Sequence, residues 1–458
     1  MSVGMAESVQ GYLDAHRDTY NQEFLELLRI PSVSTTPEHA GDVRRGAEWV
    51  MERLKKAGVP EVELIETAGH PVVFGTWHAA PGKPTILVYG HYDVQPADPL
   101  NLWKSPAFEP TMRDGRIYAR GSADMKSNLV TLIQAVEALA AVHGAPPVNL
   151  TFFWEGEEEI GSPHAREAIE ANNDRLKADA VLSCDGGMEG PNTASLNVSL
   201  KGMTGLQIDL RTSSTDLHSG MYGATVPNAL QAMAKLAYSF HDADGRVAIE
   251  GFYDDVVELS PEERAELAAH PQSEAELLEE AGVSAAWGEP GYSAKERQGA
   301  RPTIDFNGIW GGFQGEGTKT VTPAEAHLKV TSRLVPNQDP AKISELIKKH
   351  ALAHAPAGAT VTFSNVEHGA PAYTVPRDNS LQATAERVLT EQYGSKPVIE
   401  RSGGSVPITA TFKAVLGLDT VTIGFGLPGS NVHAPNEWFR EEDLDRARTV
   451  YAAYLSAF

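Results

Sequence analysis

The sequence predicts an α/β protein with a largely parallel sheet, interrupted by an inserted α+β unit. Apolar, β-rich segments alternate with helical patterns through the first 200 residues, which is typical of βαβ units. Between about residue 200 and residue 369, alternating strand patterns instead flank helical stretches. Apolar strand sequence then returns towards the C-terminus. We therefore expect a first domain in two parts, 1–199 and 371–458, with an inserted domain at 200–370.

Four short apolar segments are predicted to be buried strands of the first domain. Each is followed by Gly-rich or polar sequence, as expected for buried strands of a parallel sheet. The four segments are Thr85–Tyr89, Val148–Trp154, Ala180–Ser183 and Asp419–Phe425.

Helical spacing of apolar residues between Asp124 and His143 predicts a crossover helix that ends at Gly144. In the inserted domain, Gly205–Leu210 and Ala326–Leu334 alternate like strands. The acidic stretch 254–300 is helical in pattern and is expected to be a surface elaboration.

Composition excludes several classes of protein. The 458 residues exceed one ordinary core, and 41% hydrophobic with 22% charged residues is typical of soluble globular proteins. The net charge of −23 argues against nucleic acid or an anionic membrane as a partner. The single cysteine, Cys184, excludes a Cys-rich zinc site, so any metal must be held by His and carboxylates. The N-terminus lacks the apolar run of a signal peptide, and we expect a cytoplasmic protein.

Two motifs place potential metal ligands beside predicted elements. Gly-His-Tyr-Asp-Val-Gln-Pro at 90–96 begins where the strand Thr85–Tyr89 ends, and open α/β sheets bind ligands at the carboxyl ends of strands. His91 and Asp93 would lie on one side of an extended chain, so that the carboxylate orients a metal-bound imidazole. Arg-Gly-Ser-Ala-Asp-Met-Lys at 120–126 places Asp124 before the crossover helix, where it either bridges two cations or caps the helix. The alternative for the first motif is an ordinary polar loop.

Three further candidate ligands follow the other predicted strands. Glu-Gly-Glu-Glu-Glu-Ile-Gly-Ser at 155–162 sets four carboxylates within five residues, and close pairs repel by about 1 kcal/mol or more unless cations or solvent screen them. This segment is either a metal site or a solvated acidic turn. Asp185 and His433 follow the two remaining strands. The candidate ligands are therefore His91, Asp124, Glu159, Asp185 and His433.

Two imidazoles and three carboxylates suit a borderline divalent ion, whereas an all-oxygen set would suit magnesium or calcium. Zinc is expected, with Mn²⁺ or Co²⁺ as alternatives. Two ions that share Asp124 would lie about 3.5–4 Å apart and lower the pKa of a water between them towards about 7. A carboxylate that is not a ligand must then exchange protons with the substrate. With Glu159 as a ligand, Glu158 is the candidate general acid/base.

In this order and spacing, the three motifs resemble the two-zinc metallopeptidase and deacylase family of carnosinase-like dipeptidases, succinyl-diaminopimelate desuccinylase and acetylornithine deacetylase. The resemblance covers nearly the whole chain and implies two Zn²⁺ per subunit. It also implies that Asp93 orients His91 and that Glu158 is the general acid/base. The implied ligands are His91 and Asp185 for one ion, Glu159 and His433 for the other, and Asp124 as the bridge.

The inserted domain resembles the lid or dimerisation domain of that family. Asp-Leu-His-Ser-Gly at 216–220 is similar to the segment that supplies a histidine to the partner subunit's active site, which implies a homodimer with His218 as a helper at the oxyanion. A polar residue at a helix start is the alternative for His218. Arg333, with Gly404 and Ser405, resembles the substrate-carboxylate grip of the dipeptidase branch, and a guanidinium fork and glycine N–H groups suit that task. The alternative for Arg333 is a surface charge.

The long acidic elaboration also favours the dipeptidase branch, although Ser402 stands where carnosinase-like animal enzymes usually carry Glu. We therefore expect a homodimeric metallodipeptidase that hydrolyses the amide bond of small peptides. An N-acyl amino acid deacylase that uses the same residues is the alternative. A non-catalytic metal-binding protein is a remote alternative, because a retained fold does not guarantee activity. The intact Glu158 argues against it.

Overall fold

The chain folds into two compact units, described by a computed structural model for residues 8–366, 369–404 and 406–458. Unit 1 contains Met1–Asn197, Val375–Ile399 and Ile408–Phe458, and unit 2 contains Val198–Thr374 and Glu400–Pro407. The segment 400–407 was expected in the second part of the first domain. It belongs instead to unit 2, where the backbone N–H of Lys201 donates to the carbonyl oxygen of Gly404 at 2.9 Å.

Unit 1 is built on a six-stranded sheet and confirms the predicted α/β class. The four predicted strands are adjacent and parallel, and two antiparallel strands extend the sheet on one side. Because parallel strands end at the same edge, the segments that follow them meet there. In spatial order the strands are Glu61–Ile65, Val72–Trp77, Asn149–Glu155, Thr85–His91, Ala180–Ser183 and Thr420–Thr422.

The predicted strand Asp419–Phe425 is shorter in the structure, Thr420–Thr422. Its partner strand ends at Ser183, which pairs with Thr422, so the ladder stops there. The apolar residues Ile423 and Phe425 are buried in the core instead of being paired. Their hydrophobicity reflects burial and not strand structure.

Helices of unit 1 complete its core. The predicted crossover helix is Ser127–His143, and the preceding residues Ser122–Lys126 form a wider turn in which Asp124 and Met125 are not helical. Within the described chain, Ser122–His143 is long and apolar enough to cross a membrane, but 78% of its 18-residue window is buried by protein, as in a core helix. The other helices are Val9–Leu28, Ala40–Lys56, Ala165–Ala171, Ser380–Tyr393, Pro407–Thr411 and Glu441–Leu455.

Short strands form two further sheets. Thr111–Arg113, Arg116–Tyr118 and Trp438–Arg440 form a three-stranded sheet. A separate sheet contains Met188–Gly190, Thr193–Leu200, Tyr373–Thr374 and Val398–Ser402.

Unit 2 is α+β, with a four-stranded antiparallel sheet in the order Thr303–Gly311, Glu325–Leu334, Gly202–Arg211 and Thr360–Ser364. Alternate residues of its strands are buried, as expected when one face packs against helices. Ala229–Ser239 and Pro340–His354 cover that face. A two-stranded ribbon joins Leu217–His218 to Val321–Thr322, and the short helix Ser219–Tyr222 follows.

The acidic stretch 254–300 contains three short helices, Pro261–Ala268, Glu274–Glu280 and Ala294–Ala300. A serine starts each helix and forms a capping box with a glutamate three residues later, which satisfies N–H groups that a short helix leaves free. The stretch also packs closely against Arg401 in the strand Val398–Ser402. A Cβ added at Gly299 would lie only 2.6 Å from the Cβ of Arg401.

Candidate metal centre

Asp124 lies at the centre of the site, between two imidazoles. Its Oδ1 is 3.2 Å from His91 Nε2, and its Oδ2 is 3.0 Å from His433 Nε2. The helix begins three residues later and the Asp124 side chain caps no N–H, so the capping interpretation is wrong. One carboxylate oxygen for each imidazole is the arrangement expected of a group shared by two cations.

Each of the four clustered glutamates has its own set of contacts. Glu155 accepts hydrogen bonds from Tyr89 Oη at 2.9 Å and Ser162 Oγ at 2.8 Å. Glu157 pairs with His164, whose Nδ1 is 2.9 Å away. Both carboxylates are buried, which contradicts the solvated-turn interpretation.

The other two glutamates of the cluster face the candidate ligands. Glu159 Oε2 is 3.1 Å from His433 Nε2, and Glu158 Oε2 is 3.9 Å from His91 Nε2. Ligand atoms of His91, Glu158 and Asp185 lie within 4.8 Å of one another, as do those of His91, Asp124 and Glu159. All five predicted ligands and Glu158 therefore converge in unit 1.

The carboxylates are crowded enough to need cations. Burial and the negative charges of Asp185, Glu159 and Asp124 raise the pKa of Glu158 to about 9. Burial and Asp124 likewise raise the pKa of Asp185 to about 7. Burial alone would raise the pKa of Asp124, but the His433 and His91 imidazoles hold it well below its usual range. A divalent ion would relieve this repulsion, and the mixed imidazole and carboxylate donors fit zinc.

Asp93 supports His91 from behind, as predicted from the two-residue spacing. Its Oδ1 is 3.3 Å from His91 Nδ1, and its backbone oxygen is 3.1 Å from the same atom. Its Oδ2 accepts the backbone N–H of Glu159 at 3.2 Å. Asp93 is fully buried: its backbone oxygen and the nearby Oδ1 hold the ring of His91, and its Oδ2 holds the turn of Glu159.

Two supporting residues carry no role in the sequence interpretation. Gln95 Nε2 donates to Glu159 Oε2 at 2.9 Å and to its backbone oxygen at 3.0 Å, which orients that carboxylate. Buried Glu437 accepts hydrogen bonds from the turn that carries Asp124. Gln95 stands in the motif at 90–96 and Glu437 stands four residues after His433, but their partners lie 64 and about 313 residues away, so no local pattern identifies them.

His218 belongs to unit 2, where it is the N-cap of the helix Ser219–Tyr222. Its Nδ1 accepts the backbone N–H of Gly220 at 3.1 Å, which leaves the proton of a neutral ring on Nε2. The side chain is exposed and lines a cavity of about 790 Å³ together with Asp216, Lys319, Thr320 and His327. His218 thus starts a helix, as the alternative interpretation held, and it also presents a donor to a cavity.

Arg333 and Gly404 both lie close to Lys201 within unit 2. Burial and the charge of Arg333 lower the pKa of the Lys201 ammonium to about 8. The backbone of the same lysine donates to Gly404 O. The N–H of Gly404 donates to Ser402 Oγ at 3.0 Å, so a bound carboxylate would have to replace that contact. Ser405 lies outside the described residues.

Comparison with known proteins gives matches over most of the chain. The family described as Peptidase family M20/M25/M40 matches residues 87–457. Cys-Gly metallodipeptidase dug1 of Schizosaccharomyces pombe is 28% identical, over 97% of this chain and 96% of that protein.

Two solved structures are similar over almost their whole length. The M20 family metallo-carboxypeptidase Sso-CP2 from Sulfolobus solfataricus is 34% identical with a TM-score of 0.81, over 95% of this chain and 98% of the other. The di-peptidase Dug1p from Saccharomyces cerevisiae is 27% identical with a TM-score of 0.80, over 100% of this chain and 99% of the other.

Proposed function

This chain belongs to peptidase family M20/M25/M40, and we propose that it is a metallodipeptidase that uses two zinc ions. One observation carries the proposal: Asp124 lies between His91 and His433, with Glu159 and Asp185 within reach of the same imidazoles. Relatives named Cys-Gly metallodipeptidase match over almost the whole chain, which supports dipeptides as the substrate class.

His91 and Asp185 would hold one ion, Glu159 and His433 the other, and Asp124 would bridge them. When bound, two such ions polarise the scissile carbonyl and make water nucleophilic near neutral pH. Imidazole and carboxylate donors also bind Mn²⁺ or Co²⁺, so the proposal of zinc rests on the two imidazole ligands.

Glu158 is suited to move the proton. Its Oε2 lies 3.9 Å from His91 Nε2, and it stands next to the proposed ligand Glu159. We assign it the transfer of a proton from water to the leaving amine nitrogen. Burial raises its pKa, and bound cations would oppose that rise, which brings the carboxyl towards the range needed for both acceptance and donation.

Unit 2 would supply the substrate contacts. Arg333 offers a guanidinium fork to the terminal carboxylate, and the neighbouring Lys201 adds a second positive charge. In the homodimer that the resemblance implies, His218 Nε2–H would donate to the oxyanion that forms at the attacked carbonyl in the partner subunit's active site. These roles rest on the proposed function and on the resemblance of the segments that contain them.

We propose a homodimer in the cytoplasm. Support comes from Thr303–Gly311, an edge strand of the unit 2 sheet on which Phe306 and Ile309 are exposed. An exposed apolar edge is a typical pairing surface. The single cysteine of the sequence suits a reducing compartment.

A carboxypeptidase that removes the last residue of longer peptides is a second candidate, because the Sulfolobus solfataricus structure that is 34% identical carries that name. The deacylase alternative also remains. The zinc-loaded chain should be assayed for amine release from dipeptides, their N-acetylated counterparts and tripeptides. Cleavage restricted to free dipeptides supports the proposal, cleavage of tripeptides favours the carboxypeptidase, and cleavage of the blocked set favours the deacylase.

A further inference from the structure

Glu437 is a fully buried carboxylate that has no role in the proposed chemistry. It follows the proposed ligand His433 by four residues. Its two carboxylate oxygens accept four hydrogen bonds. Oε2 accepts from Arg120 Nη1 at 2.6 Å and from the backbone N–H of Gly121 at 2.9 Å. Oε1 accepts from the backbone N–H of Ala123 at 2.8 Å and of Asp124 at 3.1 Å.

The turn at 121–126 directs three of its N–H groups, those of Gly121, Ala123 and Asp124, to Glu437. Asp124 has φ −121° and ψ 101°, far from helical values, so the turn is not a regular helical ladder, and Glu437 accepts the N–H groups of Ala123 and Asp124 instead. Gly121 has φ +80°, and a Cβ there would lie 2.6 Å from Val94 Cγ1. A buried turn with unpartnered N–H groups would be costly, and Glu437 removes that cost with charge-assisted bonds.

The same residue connects the segments that hold two of the proposed ligands. After Glu437, the strand Trp438–Arg440 pairs with Arg116–Tyr118, and the backbone N–H of Ala119 donates to Glu437 O at 3.1 Å. Before it, His433 reaches Asp124 Oδ2 at 3.0 Å from a segment in which its own φ is +60°. The left-handed conformation of His433 needs support from its surroundings, and the chain just after it is held by Asn436, which bonds the backbone of Lys104 and Leu102, and by Glu437.

We propose that Glu437 is a positioning residue for metal binding: through the N–H groups of Ala123 and Asp124 it sets the direction of the bridging carboxylate relative to His433. It touches neither ion nor substrate. Residues behind metal ligands typically affect metal affinity by about 10- to 100-fold, and Glu437 orients a ligand proposed to serve both ions. The inference rests on the proposed function, since it presumes that Asp124 binds metal.

The test is Zn²⁺ affinity of the full chain, measured by chelator competition on protein whose folding is checked by circular dichroism. Glu437→Gln keeps the shape of the side chain but replaces one carboxylate oxygen with an NH₂ group. Two of the four N–H groups that donate to Glu437 would then face a donor instead of an acceptor. The matched control is Arg120→Lys, which disturbs the same buried ion pair but leaves both Glu437 oxygens to the turn. Both variants are expected to melt at lower temperature than the parent.

We expect Glu437→Gln to bind Zn²⁺ about 10- to 100-fold more weakly, while Arg120→Lys stays within about threefold of the parent. Equal Zn²⁺ affinity in Glu437→Gln and the parent would overturn the inference, and so would equal losses in the two variants. If Glu437→Gln does not fold, Glu437→Asp replaces it, with an intermediate loss expected and parental affinity contradicting the inference. A parent chain that binds no Zn²⁺ would instead overturn the proposed function.

Discussion

Replacing Glu158 with Gln separates proton transfer from metal binding. Gln has nearly the same shape, so the packing around His91 is kept, but a neutral amide cannot accept a proton. General acid/base catalysis contributes about 10²- to 10⁴-fold. At about 1.36 kcal/mol per tenfold change, the transition state should lose about 2.7–5.4 kcal/mol of stabilisation. The expected result is that loss in kcat with two Zn²⁺ still bound per chain.

The structure also predicts how the metal-free variant should behave. Burial, with the charges of Asp185, Glu159 and Asp124, raises the pKa of Glu158 to about 9, so the carboxyl of the metal-free protein is already neutral near pH 7. Glu158→Gln should therefore leave the melting temperature of the metal-free protein unchanged or raise it. A melting temperature at or above that of the parent would exclude unfolding as the reason for lost activity. Turnover of free dipeptides should be followed as amine release, with zinc content measured on the same samples.

The matched control is Glu157→Gln, one residue earlier in the same motif. Glu157 is buried too, but it pairs with His164 and accepts the backbone N–H of His70 at 3.1 Å. We expect lower stability with kcat within about tenfold of the parent. The reasoning is refuted if Glu158→Gln keeps kcat within tenfold while metal-loaded, or if it loses a zinc ion, which would make Glu158 a ligand.

Three further predictions concern unit 2. Burial and His354 lower the pKa of His350 to about 4 from 6.5, so the unfolded chain binds more protons between those values and stability falls as pH drops through them. His350→Gln should flatten this loss in urea unfolding at pH 7 and 4.5, and an unchanged slope would contradict it. Gly299→Ala should raise KM with kcat preserved, because its Cβ would displace Arg401, which precedes Gly403 and Gly404 in the chain. Gly41→Ala, with open space around it, should change neither KM nor kcat. Arg333→Lys should raise KM about tenfold or more for free dipeptides, since a single ammonium loses the fork geometry, and parental KM would remove Arg333 from the substrate site.

Much of the catalytic unit could be predicted from sequence because its ligands follow short apolar strands. Parallel pairing places the ends of Thr85–His91, Asn149–Glu155 and Ala180–Ser183 at one edge, so a one-dimensional pattern becomes a three-dimensional cluster. The helix start was placed too early, since Asp124 lies in a turn whose dihedral angles depend on hydrogen bonds to Glu437.

The supporting contacts of the site could not be predicted, because they join residues that lie far apart in the sequence. Gln95 and Glu437 are ordinary polar residues until the fold brings them to Glu159 and to the Asp124 turn. The acidic stretch 254–300 was expected to be a surface elaboration, yet Glu263 forms an ion pair with Arg401 next to the Gly403–Gly404 loop. Charge content alone cannot distinguish a solvated helix from one that supports a binding loop.

The most direct test of the two-zinc site is an anomalous difference map from crystals of the zinc-loaded chain, collected above and below the zinc edge. We predict two zinc peaks about 3.5–4 Å apart, with one oxygen of Asp124 bound to each ion. His91 and Asp185 should bind the first ion, and Glu159 and His433 the second. A single peak, or two peaks that Asp124 does not bridge, would contradict the proposed centre.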